Sequence, residues 1–192
     1  DVNAVFVPAA LSSIDRLLTS GLLNPYVSHK QRGVLQRAKA QSQMWSQKVP
    51  PMFQVTIPAV QARAAVSTYG KGLGLSVADA LDEIGDRPVS FKALSLDAAG
   101  KPVPVMHSDE GFALLFTMPL PADLERSVGA MMKPFPAGML TPIGLLVANP
   151  VFADASLQRQ LARTAYHGTV TWSWQQALLA AGLERQIARS DL

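Results

Sequence analysis

Residues 164–182 read TAYHGTVTWSWQQALLAAG. Polar and aromatic side chains crowd the first half, and Ala, Leu and Gln fill the second. The chain has three Trp in all, and two of them, Trp172 and Trp174, fall in this stretch. Ser173 followed by Gln176 has the spacing of a capping box, so a helix is expected to start at Trp174. Trp174, Ala177, Leu178 and Ala181 then share one face, which is expected to be core. Ahead of the cap, Tyr166 to Trp172 reads as extended chain. Alternation would set His167, Thr169 and Thr171 on one side and Gly168, Val170 and Trp172 on the other. A polar strip beside a flat aromatic strip suits a sugar, whose hydroxyls take hydrogen bonds while its ring face lies on an aromatic. Packing of both Trp into a core fits the same spacing.

Working outward, the remaining chain reads as helix pairs around a β excursion. Helices are expected over 5–18, 28–47, 58–69, 76–84 and 121–132. After 155–163, two further helices are expected over 174–181 and 183–189. Pro8 suits a first helical turn, and residues 52–57 alternate weakly as a short strand. Residues 88–117 are β-like, with a turn at Asp97-Ala98-Ala99-Gly100, and are expected to form a β-hairpin insertion with a third strand at 112–116. No strand–helix alternation runs along the chain, which argues against a doubly wound sheet. The expected class is mainly α, one region over 1–192.

Composition narrows the function classes. Hydrophobic residues are 48% of the 192 and charged residues 16%, a globular, apolar-rich balance. Seventeen Lys and Arg against 14 Asp and Glu give a net charge of only +3. The densest basic stretch, Lys30 to Lys48, is diluted by Gln and Ser, so a nucleic-acid partner is not expected. With no Cys, disulfides and thiolate metal sites are excluded. Apolar runs fall far short of the about 20 residues that a membrane span needs.

Most motifs have a bland reading. Tyr69 to Leu75 (YGKGLGL) lacks both the dinucleotide spacing and the P-loop Lys-Ser/Thr, and reads as a helix stop. His29, His107 and His167 form no paired metal motif, so no metal or other cofactor is expected. In residues 105–116 (VMHSDEGFALLF), His107, Ser108, Asp109 and Glu110 stand between apolar runs, at a turn or at the lip of a site. Adjacent carboxylates in extended chain point apart, so Asp109 and Glu110 cannot be the facing pair, about 5 to 9 Å apart, that glycoside hydrolysis uses.

Tyr166-His167-x-Thr169-Val170-x-Trp172-x-Trp174, followed by Gln-Ala-Leu-Leu-Ala-Ala-Gly182, resembles a Tyr-His…Thr-Val…Trp segment of glycogen-debranching-type α-glucosidases. These belong to the six-hairpin (α/α) toroid glycosidases. The entry Asp1-Val2-Asn3-Ala4 with Pro8-Ala9-Ala10-Leu11, and the turns at 138–142 and 148–150, are similar to parts of such toroids. The family's upstream Arg-Asp segment and its C-terminal catalytic Glu segment are not found here. A toroid of twelve helices also needs about 350 to 450 residues.

The resemblance therefore implies a C-terminal portion of an (α/α)6 toroid with an inserted β-hairpin, with the remainder of the polypeptide as a partner. It implies hydrolysis or binding of an α-glucan or related oligosaccharide or polysaccharide. Asp109 and Glu110 are the candidate catalytic carboxylates, Asp109 being the better placed for a sugar contact. Asp1, His107, Tyr166, His167, Thr169, Trp172 and Trp174 are the candidate substrate-binding residues. The alternative is a non-catalytic helical module that holds a glycan or a protein chain on the same aromatic strip.

Overall fold

The computed structural model describes residues 2–192; Asp1 lies outside the described residues. Helices hold 52% of the chain and strands 11%, so the class is mainly α. Where one region over 1–192 is expected, the chain divides into two compact units, one ending at Met52 and the other starting at Phe53.

The first unit is helical: α1 (Asn3–Thr19), α2 (His29–Leu35) and α3 (Ala38–Lys48). Two helices thus stand where one is expected over 28–47. The Ser42 hydroxyl, on α3, donates to the Pro8 carbonyl on α1 at 2.8 Å. Helix α1 starts earlier than its sequence suggests, so Pro8 sits inside it and not in its first turn. A capping box does form in this chain, at Ser28 and Gln31.

In the second unit, β1 (Gln54–Ile57) leads through α4 (Ala59–Gly72) and α5 (Ala78–Ile84) to β2 (Val89–Lys92). The strands pair antiparallel, Val55 against Phe91. Strand β2 alternates buried and half-buried residues, and Val89 and Phe91 join Ala62, Val66 and Ile84 in the core. The expected β-hairpin insertion over 88–117 is corrected here. Only β3 (Ser95–Leu96) and β4 (Pro102–Val103) form a local hairpin, closed by Asp97 Oδ1, which accepts from the Ala99 and Lys101 N–H groups. Strand β5 (Met106–His107) pairs instead with a later strand. Residues 112–116, expected as a third strand, lie in helix α6 (Glu110–Phe116). GFALLF has apolar residues enough for either form, and burial against a helix decides it.

Helix α7 (Pro121–Met131) packs on β2 and is followed by a hairpin of β6 (Leu140–Thr141) and β7 (Gly144–Leu145). Then β8 (Ala148–Asn149) pairs with β5, His107 against Ala148. Asn149 is fully buried. Its amide donates to the Pro136 and Gly138 carbonyls, and its Oδ1 accepts from Val151 N–H, so one side chain fixes the loop on both sides of β8.

Helix α8 (Ala155–Gln160) and helix α9 (Ser173–Ile187) complete the chain. Helix α9 is continuous where two helices are expected, and its buried face is not the expected one. Gln175, Leu179, Gly182 and Gln186 face inward, while Trp174, Ala177 and Ala181 are exposed. The reason is backbone proximity. A Cβ on Gly182 would stand 2.8 Å from Leu114 Cβ and 3.2 Å from the Gly111 carbonyl oxygen, and one on Gly111 would stand 2.9 Å from Leu178 Cδ2. Two glycines let α6 and α9 touch, and their position, not the apolar residues, chooses the face.

Gly182→Ala is therefore expected to destabilise the second unit by about 1–3 kcal/mol, since an added methyl meets backbone and a packed Cβ. Gly129→Ala, inside α7 with nothing within 4 Å of the new Cβ, is expected to stabilise it by about 0.5–1 kcal/mol. Urea melts of the two variants beside the parent chain check both signs.

Candidate functional site

The residues before α9 do not form the expected alternating strip. Turns at Ala162–Ala165 and Ala165–Gly168, closed by backbone bonds of 2.8 and 3.1 Å, replace extended chain. Gly168 is required there, because a Cβ would stand 2.3 Å from the Ala162 carbonyl oxygen. From Gly168 the chain runs beside the β7–β8 segment: Ala148 N–H donates to the Gly168 carbonyl and Val147 N–H to the Val170 carbonyl.

The Thr169 hydroxyl donates to the Leu161 carbonyl at 2.8 Å, which commits it to the loop. Thr171 Oγ1 is buried without a partner. His167 stays exposed.

The capping box expected at Ser173 is also absent. Trp172 occupies the N-cap without a side-chain cap. Gln176 serves β7 instead: its Oε1 accepts from Leu145 N–H and its Nε2 donates to the Leu145 carbonyl, both at 2.9 Å. That two-point bond imitates a strand partner and pins the start of α9.

The outcome is a surface of rings. Trp172 lies 4.6 Å from Tyr166, 4.9 Å from His167 and 5.7 Å from Trp174, between ring centroids. Phe112 of α6 continues the cluster, 5.9 Å from Trp174. Tyr166 is 74% exposed and Trp174 49%, so this cluster is open to solvent and neither residue is a core plug. Phe112 is the member that sequence reasoning missed, because only the α6–α9 contact brings it there.

Asp109 borders the cluster. Its Oδ1 accepts from Gln175 Nε2 at 3.2 Å, and its Oδ2 lies 3.8 Å from His107 Nδ1. Gln175 directly follows Trp174 in α9, and Asp109 opens the helix that carries Phe112, so the α6–α9 contact joins carboxyl and rings. Burial pushes the Asp109 carboxyl above its ordinary value, with the His167 charge and the Gln175 hydrogen bond pulling the other way.

His107 was expected to touch substrate and does not reach solvent, at 5% exposure. Its Nε2 lies 3.1 Å from the Ala93 carbonyl oxygen. Burial pushes its pKa down to about 3, so the ring is neutral at physiological pH.

Glu110 turns the other way. Its Oε2 accepts from the Ser127 hydroxyl at 2.7 Å. With Lys92, Ser127 and His107 it lines a cavity of about 10 Å³, near the lower limit for one water and far too small for a sugar ring. Burial raises the Glu110 carboxyl, against the pull of Ser127 and Lys92. The two adjacent acids thus have different partners, Gln175 for Asp109 and Ser127 for Glu110.

Among the described residues, no group of three or more His, Asp or Glu side chains could hold a metal ion. No helix among them is long and apolar enough to cross a membrane. The chain matches no family model, no curated protein and no solved structure.

Linkage at His107 sets a pH dependence. The unfolded His titrates near 6.5 and the folded one near 3, so between those values the unfolded state binds the extra proton. Stability is therefore lost as pH falls through that window, with a slope of up to about 1.4 kcal/mol per pH unit from this group. Asp109 and Glu110, raised in the fold, oppose it, because they bind protons in the folded state first. The His107 part is the difference from a His107→Gln variant. That variant is expected to lose less stability between pH 6.5 and 4 in parallel urea melts, and equal slopes would contradict a buried neutral His107.

Proposed function

We propose that this chain is part of a six-hairpin (α/α) toroid glycoside hydrolase acting on an α-glucan or related oligosaccharide. The reading rests on one observation: a ring cluster of exposed Tyr166, His167 and Trp174 with half-buried Trp172 and Phe112 adjoins Asp109, a carboxyl raised above its ordinary value. Pyranose rings present apolar C–H faces, and the Trp rings offer flat surface for them. His167 supplies polar nitrogens at the rim. A carboxyl raised above its ordinary value holds its proton to higher pH and can donate it to a glycosidic oxygen.

Inverting hydrolysis also needs a second carboxylate across the scissile bond, with room for a water. Glu110 is held by Ser127 at a cavity too small for a sugar ring, so the base comes from outside this pair. The same observation favours a second reading, a glycan-binding module without hydrolysis. Oligosaccharide is the partner in both.

Titration with maltooligosaccharides is expected to give a saturable change in tryptophan fluorescence. Trp172→Ala should weaken binding about tenfold, the loss of roughly 1–1.5 kcal/mol of aromatic contact. No change at millimolar ligand would contradict the platform.

Hydrolysis separates the two readings. Asp109→Asn is expected to lower the rate of reducing-sugar release at least about 100-fold, with fluorescence-detected binding kept within about threefold. Wild-type activity in that variant would remove Asp109 as the acid. Binding without any hydrolysis by the parent chain assigns the module.

A further inference from the structure

Among the described residues, three side-chain polar atoms are buried without a hydrogen-bond partner: His107 Nδ1, Thr171 Oγ1 and Gln175 Oε1. Two of these residues, His107 and Gln175, border one carboxyl, Asp109.

The tautomer of His107 follows from its other nitrogen. A carbonyl oxygen only accepts, so Nε2, 3.1 Å from the Ala93 carbonyl, carries the ring proton. Nδ1 is then a bare lone pair, and it lies 3.8 Å from Asp109 Oδ2. On the other side Gln175, only 3% exposed, gives its amide N–H to Asp109 Oδ1 and leaves Oε1 as one more acceptor. An ionised Asp109 would set Oδ2 against the imidazole lone pair with no donor between them. Buried acceptors left without a donor, here His107 Nδ1 and Gln175 Oε1, are what folded proteins avoid.

We propose that Asp109 and His107 share one proton, carried on Asp109 Oδ2 and accepted by His107 Nδ1, so that Asp109 meets the aromatic cluster as a neutral carboxyl with His107 as its positioning residue. The pair closes from 3.8 Å by a turn of the carboxyl, which is 26% exposed, while the imidazole stays fixed by Ala93. Hydrogen bonds of catalytic groups are often long before a ligand is bound.

The surrounding groups pull both ways. Glu110, next along α6, is raised in part by repulsion from Asp109, with Lys92 of β2 pulling it down. His167, in the loop before α9, and the Gln175 hydrogen bond favour ionisation of Asp109, against its burial. Burial disfavours the rival arrangement, an imidazolium–carboxylate ion pair, and moves both groups towards neutrality. This deepens the glycosidase reading by naming what holds its acid, and rests on that reading only for the use made of the proton.

The test needs no sugar, so its failure is distinct from failure of the platform. Nitrogen-15 NMR of the full chain, labelled at His, is recorded near neutral pH together with the carbon-13 resonance of the Asp109 carboxyl, assigned with Asp109→Asn. The expected result is a His107 ring protonated at Nε2 alone, with Nδ1 in an acceptor's shift range. The Asp109 carboxyl should still carry its proton at that pH, and an ionised carboxyl there overturns the proposal. His107→Gln, which offers an amide donor in place of the lone pair, should move the Asp109 titration down by about one unit. Protons on both His107 nitrogens beside an ionised Asp109 overturn the proposal, as does an ordinary aspartate titration. If His107→Gln does not fold, the wild-type spectra alone decide.

Discussion

The site depends on one contact, the approach of α6 to α9 at Gly111 and Gly182. A Cβ at either glycine would overlap the other helix or its side chains, so the two helices meet at a separation that few other residues permit. Asp109 stands at the start of α6 and Gln175 in the first turn of α9. Their hydrogen bond, and the contact of Phe112 with Trp174, exist because the glycines hold those turns together.

Amide and guanidinium side chains of α9 then complete the join. A helix ends with carbonyls that have no partner inside it. For α6 those groups are met from outside: Gln186 donates to the Leu114 and Thr117 carbonyls and Arg185 to the Leu115 carbonyl. Arg189 reaches the Pro119 carbonyl just beyond. At the other end Gln176 pairs with both backbone groups of Leu145. Polar side chains thus occupy the buried face of a helix rich in Ala and Leu. Of the buried Gln, Gln186 gives its amide to backbone carbonyls and accepts from Arg189, whereas Gln175 donates to Asp109 and leaves its oxygen without a partner. Two of the three unsatisfied atoms, on His107 and Gln175, gather at the carboxyl, where a ligand or a proton has a use for them.

Sequence periodicity was a fair guide to helices and a poor one to pairing. The Asp97–Gly100 turn and α7 stand close to where their residues place them, since turn chemistry and a Pro-led helix start are local. The partners of β2 and β5 lie about 35 to 40 residues away, and two-residue strands carry no alternation to read. The capping box shows the limit most clearly. Ser28 and Gln31 form one, whereas Ser173 and Gln176 share its spacing and do not, because Leu145 recruits Gln176. The paired Trp and Asp109 were legible as candidates from chemistry and spacing, and Tyr166 from the resemblance. Phe112 and Gln175 were not, because only the α6–α9 crossing brings them there. Thr169 looked like a sugar contact, and the loop claims its hydroxyl.

The central claim is that the ring cluster and the Asp109 carboxyl form one binding site. Nitrogen-15 NMR during a maltooligosaccharide titration tests it directly, through the indole N–H signals of Trp172 and Trp174 and the side-chain amide of Gln175. The account predicts that all three move along a single saturation curve, since Gln175 reports on the carboxyl that it holds. Indole signals that shift while the Gln175 amide stays still would separate the platform from the acid and contradict the account.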